Sequence, residues 1–141
     1  MTFLAHSQDA LIGDAGAHQL MRVTNVSGEA AVTILARQAD GIPDAVAVAA
    51  AADHSTAVVA GPDAVAVVDL TQGTTTALAC QCVATTLAAL RGRSVFRLNE
   101  PSDRAITLLN NDGAKPVVEI IPPEPAPQPR VISNPTRGGR Q

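Results

Sequence analysis

QLMRVTNVSGEAAVTILARQAD, residues Gln19–Asp40, is the stretch that decides the fold. Leu20, Arg22 and Thr24 alternate with Met21, Val23 and Asn25, the period of a strand whose successive side chains point to opposite faces. Ser27-Gly28 supplies a turn. Ala30, Val32, Ile34 and Ala36 then line one face of a second strand, with Ala31, Thr33 and Leu35 on the other. The stretch reads as a β-hairpin.

The chain downstream repeats this grammar as far as Ile121. Asp40-Gly41-Ile42-Pro43-Asp44 is a strong turn signal, because Gly and Pro fix backbone geometries that strands do not use. Ala45–Ala52 (AVAVAAAA) pulls two ways: Val46 and Val48 favour a strand and the alanines a helix. Its length and flanking turns decide for a strand. Thr56–Ala60 and Ala64–Leu70 read as strands around Gly61-Pro62-Asp63, and Thr74–Ala84 follows the turn Thr71-Gln72-Gly73. Thr85–Leu90 fits either an extended segment or one helical turn. Ser94–Leu98, Ala105–Leu109 and Pro116–Ile121 complete the set, the last two joined by Asn110-Asn111-Asp112-Gly113. About eight or nine short strands at spacings of roughly 8–12 residues predict an antiparallel β-sandwich, Ig-like or jelly-roll-like, over residues 19–121. No fixed-period repeat is visible.

Two flanking segments differ in character. Residues 1–18 mix small, polar and scattered apolar residues without a sustained period, and read as an N-terminal arm with Phe3 and Leu4 as anchors. A short helix over Ser7–Ile12, capped by Ser7, is the alternative. Residues 122–141 open with PPEPAPQP, whose prolines impose an extended polyproline II path that builds no core of its own. This arm carries an isolated apolar pair, Val131 and Ile132, among Arg130, Arg137 and Arg140. It reads either as a solvated tail or as an attachment element, with Phe3, Leu4, Arg130, Val131, Ile132, Arg137 and Arg140 as the candidate partner-binding residues.

Composition narrows the function. At 141 residues the chain suits one domain with a real core. Hydrophobic residues make up 46% but aromatics only 1%, with Phe3 and Phe96 the two aromatic positions. A core of Ala, Val, Leu and Ile buries less area per residue than one with aromatic anchors, so association with neighbours would add stability by mass action. The net charge of −3 is uneven: residues 1–90 carry two bases against eight acids, and residues 91–141 eight bases against five acids. Opposed charge on two parts of one chain suits contacts between subunits. Nucleic acid would want a basic face with stacking aromatics, and is not expected as a partner. Neither a membrane-spanning run nor a signal peptide is read from the sequence: its apolar segments are short, and Asp9 and Asp14 interrupt the first twenty residues.

Chemistry-bearing motifs are sparse. His6, His18 and His54 lack metal-ligand spacing and read as surface polar residues, the first two in the N-terminal arm and His54 in a turn with Asp53. Cys80-Gln81-Cys82 reads as two small core-facing residues of a strand rather than a metal site or a disulfide, since strand neighbours two apart are strained as a bridge. Gly13-Asp14-Ala15-Gly16 lacks the strand and helix of a phosphate loop. Arg91, Arg93 and Arg97 form a local basic patch, and Glu100 and Asp103 fall in turns. No catalytic, cofactor or metal residues are assigned, and no enzyme is expected.

Arg22-Val23-Thr24-Asn25-Val26-Ser27-Gly28, then Ala31-Val32-Thr33-Ile34, and later Val58-Val59-Ala60-Gly61, resemble small β-sandwich accessory proteins of tailed bacteriophage particles. Those proteins favour a TN-SG-AVTV hairpin followed by a VPAG-like turn; here that turn reads Val59-Ala60-Gly61-Pro62, without the preceding proline. The resemblance covers about Gln19–Leu70. It implies a non-enzymatic virion protein, a capsid decoration or cement protein, made in the host cytoplasm, that binds the major capsid protein and further copies of itself. A neck, tail or fibre component, or a binding module of a cell-surface or adhesive system, is the alternative.

Overall fold

The computed structural model describes residues 1–45, 47–80, 86–90, 94–99 and 105–127. Within these the chain is built from antiparallel strands, with a single 3-10 turn at Gln38–Asp40. Three four-stranded sheets follow one another along the sequence. The first holds β1 (Thr2–Phe3), β2 (Ala10–Asp14), β3 (Gln19–Thr24) and β4 (Ala31–Arg37). The second holds β5 (Ala47–Ala50), β6 (Thr56–Ala60), β7 (Ala64–Asp69) and β8 (Thr75–Ala79). The third holds β9 (Ala88–Ala89), β10 (Val95–Arg97), β11 (Ile106–Asn110) and β12 (Val117–Ile121). Every strand pairs with its neighbour in sequence, so each sheet is a meander without crossovers. Greek-key crossings, which immunoglobulin and jelly-roll sandwiches use, are absent from the described strand order.

The all-β antiparallel sandwich read from the sequence is the architecture observed, with a third layer added. Side-chain alternation in the second sheet explains it. Ala57 and Val59 of β6 and Ala66 and Val68 of β7 pack with Leu4, Leu11, Leu20 and Ala36 of the first sheet. Their neighbours Val58, Ala60, Val65 and Val67 point the other way, onto Phe96, Leu98 and Leu109 of the third. The second sheet is therefore central, and its middle strands β6 and β7 are buried on both faces. Such strands need apolar residues at successive positions rather than every second one, and AVVA within β6 and AVAVV within β7 supply them. Alanine on these faces lets neighbouring sheets approach closely, and Phe96, 1% exposed, is the one aromatic side chain in either core cluster.

The expected strands at Thr56–Ala60 and Ala64–Leu70 match β6 and β7 within a residue, and Ala45–Ala52 holds β5. Pairing to β6 overrides the helix propensity of its alanines. Of Thr74–Ala84, Thr75–Ala79 forms β8, while 81–85 lie outside the described residues. Thr85–Leu90 contains the short strand β9 rather than a helical turn.

The N-terminal segment differs from the expected arm. Residues 1–18 carry β1 and β2, and β2 pairs with β3 over five residues, Ala10↔Val23 to Asp14↔Gln19. Leu11 is fully buried and Leu4 is 2% exposed. The segment's scattered apolar residues hid the strands because β1 and β2 are short and separated by a tight turn, in which the Leu4 carbonyl accepts from the Ser7 amide. Neither does Ser7 cap a helix; its hydroxyl donates back to the Leu4 carbonyl at 3.2 Å.

Candidate functional site

The outer face of the first sheet is an apolar surface with no described sheet against it. Directly opposed residues of neighbouring strands share a face. Phe3 opposes Ala10, Ala10 opposes Val23, and Val23 opposes Val32, giving one row across four strands. Ile12, Met21 and Ile34 give a second. Phe3 and Val32 are each 62% exposed and Ile34 39%, while the small Ala10 sits covered within its row.

A β-bulge creates this face. Leu20 opposes Ala36 but Met21 opposes Ile34, so Leu35 is the extra residue and the alternation changes phase there. Val32 and Ile34 were expected to share a face with Ala36. They do not: Ala36 is 3% exposed and points into the core, and the two larger residues point outward. The extra residue, Leu35, packs against the first core cluster. Nothing in AVTILAR announces the bulge, because every position but Thr33 and Arg37 is apolar and either phase would look buried.

One edge of the face is held by Asp9. Its carboxylate accepts from Arg22 Nε at 3.0 Å, from Arg22 Nη2, and from the Asn25 amide at 3.2 Å. The Val26 amide donates to the Gln8 carbonyl at 2.8 Å. Asn25 takes the left-handed conformation that asparagine tolerates better than most residues (φ 53°). Together these bonds tie the β1–β2 loop to the β3–β4 turn. Between them lies a shallow cleft of about 350 Å³ lined by Phe3, Ser7, Gln8, Val26 and Ser27. Asp9 and Arg22 are thirteen residues apart, so their pairing leaves no local signal in the sequence.

Hydrogen bonding from Arg22, then from the Asn25 amide, holds the Asp9 carboxyl below the usual aspartate range. Asp69 is lowered in the same way by the Thr71 hydroxyl and the Gln72 and Thr71 amides. A depressed folded-state value means stability that is present above the unfolded-state pKa and lost as pH falls through the folded one. Replacing Asp9 by Asn should therefore flatten the acid limb: the drop in urea midpoint between about pH 6 and about pH 2 becomes smaller than in the parent chain. An unchanged drop would show that this pairing contributes nothing to folding.

The other sequence candidates separate into three groups. Phe3 is on the exposed face, whereas Leu4 is a core residue whose burial corrects its reading as a partner anchor. Arg130, Val131, Ile132, Arg137 and Arg140 lie outside the described residues, as do Arg91, Arg93, Glu100 and Asp103. His6, His18 and His54 all occupy left-handed turn positions (φ 56°, 48° and 60°), which accounts for them as turn formers. His18 Nδ1 lies 2.8 Å from Asp44 Oδ1. Among the described residues no group of three His, Cys, Asp or Glu side chains is placed to hold a metal.

Cys80 corrects a further reading. It is disulfide-bonded rather than a free core thiol. The chain's other cysteine is Cys82, which lies outside the described residues. β8 ends at Ala79, so Cys80 falls beyond the regular strand geometry on which the argument against a bridge rested. Its partly buried side chain packs at the margin of the second core cluster.

A three-sheet antiparallel body with an apolar outer face defines the class as an all-β protein. Comparison with protein-family models, with curated proteins and with solved structures gives no match.

Proposed function

We propose that the protein is a non-enzymatic structural component of a tailed-phage particle, a capsid decoration protein. It binds the shell through the outer face of the first sheet and reaches a neighbouring subunit with its proline-rich C-terminal segment. The observation that carries the reading is the pair of cross-strand apolar rows, Phe3–Ala10–Val23–Val32 and Ile12–Met21–Ile34, of which Phe3, Val32 and Ile34 are exposed. Contiguous exposed apolar surface of this kind marks interaction sites. The hairpin resemblance supplies the kind of partner.

The tail argument is entropic and electrostatic. β12 runs into Pro122 and Pro123, and residues 122–127 are exposed and outside any strand. Prolines hold φ near −65°, so less freedom is lost when the segment is captured. At about 3.1 Å per residue the twenty residues after Ile121 span on the order of 60 Å, enough to cross a subunit boundary. Val131 and Ile132 then fill a shallow apolar groove, while Arg130, Arg137 and Arg140 meet acidic surface such as the acid-rich first half of another copy. Salt weakens that contact.

Ending the chain after Ile121 tests the proposal, because the body keeps all three sheets. The shortened protein should give the parent's far-UV circular dichroism while its binding to particles, or to itself, falls at low salt. Association unchanged at low and high salt would count the tail as solvated and remove it from the proposal.

A further inference from the structure

We propose that β4 is a pairing edge, through which two copies of this chain join into one continuous sheet about a two-fold axis. The edge is distinct from the outer face assigned above, and its pairing does not depend on a virion.

β4 is the last strand of the first sheet, and at seven residues the longest strand among those described. No described strand pairs with its far side. The opposite edge of the same sheet, β1, is only two residues long, and β12 in the third sheet is bracketed by Pro116 and Pro122. Exposed edges are ordinarily blunted by proline, by lysine or by an inward-pointing charge. Ala31–Ala36 contains none of these. The free edge is instead closed at its far end. The Asp40 carboxylate accepts the Arg37 amide at 2.8 Å, and the Arg37 carbonyl accepts from Ile42 at 3.3 Å. With the bulge at Leu35, this leaves the run up to Ile34 open for pairing.

The sequence of that run is self-complementary. A two-fold axis normal to the sheet at Thr33 sets Thr33 opposite its own copy and Val32 opposite Ile34 on both sides. Such an axis keeps the outer face outward in each copy, so the two large apolar residues that the strand exposes, Val32 at 62% and Ile34 at 39%, cover each other. The row Phe3–Ala10–Val23–Val32 of one copy then runs on into Ile34, Met21 and Ile12 of the other. Moving the axis to Val32 would pair Ile34 with Ala30 and cover less. Past the bulge, Arg37 of one copy comes beside Glu29 in the turn that leads into β4 of the other. Both residues are exposed, and neither is in an ion pair among the described residues. Symmetry makes this contact twice.

Sedimentation equilibrium of the full chain from micromolar to near-millimolar concentration should show mass rising from 14.4 kDa toward twice that value. Glu29→Arg or Arg37→Glu each places like charges together at two points and should weaken dimerisation about tenfold. The double variant, with the charges exchanged, should recover it, which no loss of folding could mimic. Thr33→Cys fixes the register. Directly opposed residues lie roughly 4.5–5.5 Å apart at Cα, within disulfide range, so mild oxidation should link Thr33→Cys into a covalent dimer. Ala31→Cys, about four residues out of register, should stay unlinked. A chain that remains monomeric throughout the range overturns the proposal. So does cross-linking at Thr33→Cys no greater than at Ala31→Cys, or a charge-exchanged double variant no better than its parents.

Discussion

Phe96→Ala is expected to lower the stability of the body by about 3–5 kcal/mol, the usual cost of emptying an aromatic site in a packed core. Phe96 is 1% exposed and is paired in β10 with Leu109 on one side and Ala89 on the other. Its neighbours across the layer boundary are the alanines and valines of the central sheet. These side chains are short and half of them β-branched, so they cannot swing over to fill the space, and the cost falls at the upper end of the range. A small domain has about 5–15 kcal/mol in all. Removing one ring therefore threatens the attachment of the whole third sheet. With no Trp or Tyr in the chain, far-UV circular dichroism in urea is the measurement. A loss below about 1 kcal/mol would mean that the third sheet is not seated through this residue.

The second large effect is overpacking at Gly13. This glycine lies in β2 opposite Leu20, on the face that meets the central sheet. A Cβ there would sit 2.7 Å from Val48 Cγ2 and 2.8 Å from Ala45 Cβ. Both contacts are too short for carbon, and one belongs to a side chain too small to rotate away. Gly13→Ala should thus cost about 1–3 kcal/mol although alanine suits a strand better than glycine does. Val48→Ala removes one of the two clashes. The double variant should accordingly recover part, not all, of the loss, with a coupling of at least about 0.5 kcal/mol. Strict additivity in urea unfolding would show that the sheets are not in contact at this point.

The strands are more legible in the sequence than their surroundings. β6 and β7 are legible because the unbroken apolar runs AVVA and AVAVV, bounded by Asp53-His54 and Gly61-Pro62-Asp63, have no other economical reading. The same uninterrupted runs carried a further signal, two-sided burial, which distinguishes a central sheet from one half of a two-layer sandwich. Strand alternation reported local geometry well and failed where a tertiary event reset it, at Leu35. β1 and β2 escaped because two- and five-residue strands show too few periods to rise above scatter. Asp9 and Arg22, like Gly13 and Val48, meet only once the sheets are assembled, so their roles could not be read along the chain. The Cys80 bridge is not legible because the strand expected over Thr74–Ala84 carries regular geometry past Ala79, where β8 stops.

The succession of three meanders also sets an order of events during synthesis. Every strand pairs with one already made or about to be made, so each sheet can close over local loops, which favours fast formation. The first two sheets can lie together as soon as β8 has left the ribosome. Until β12 follows, Val58, Ala60, Val65 and Val67 then face water across the back of the central sheet. That interval is when the growing chain is most open to capture by a sister chain, whose own third sheet fits the same bare face. Exchange of third sheets between copies is thus the misassembly this topology invites, and slow synthesis of the segment from the end of β8 to β12 would promote it.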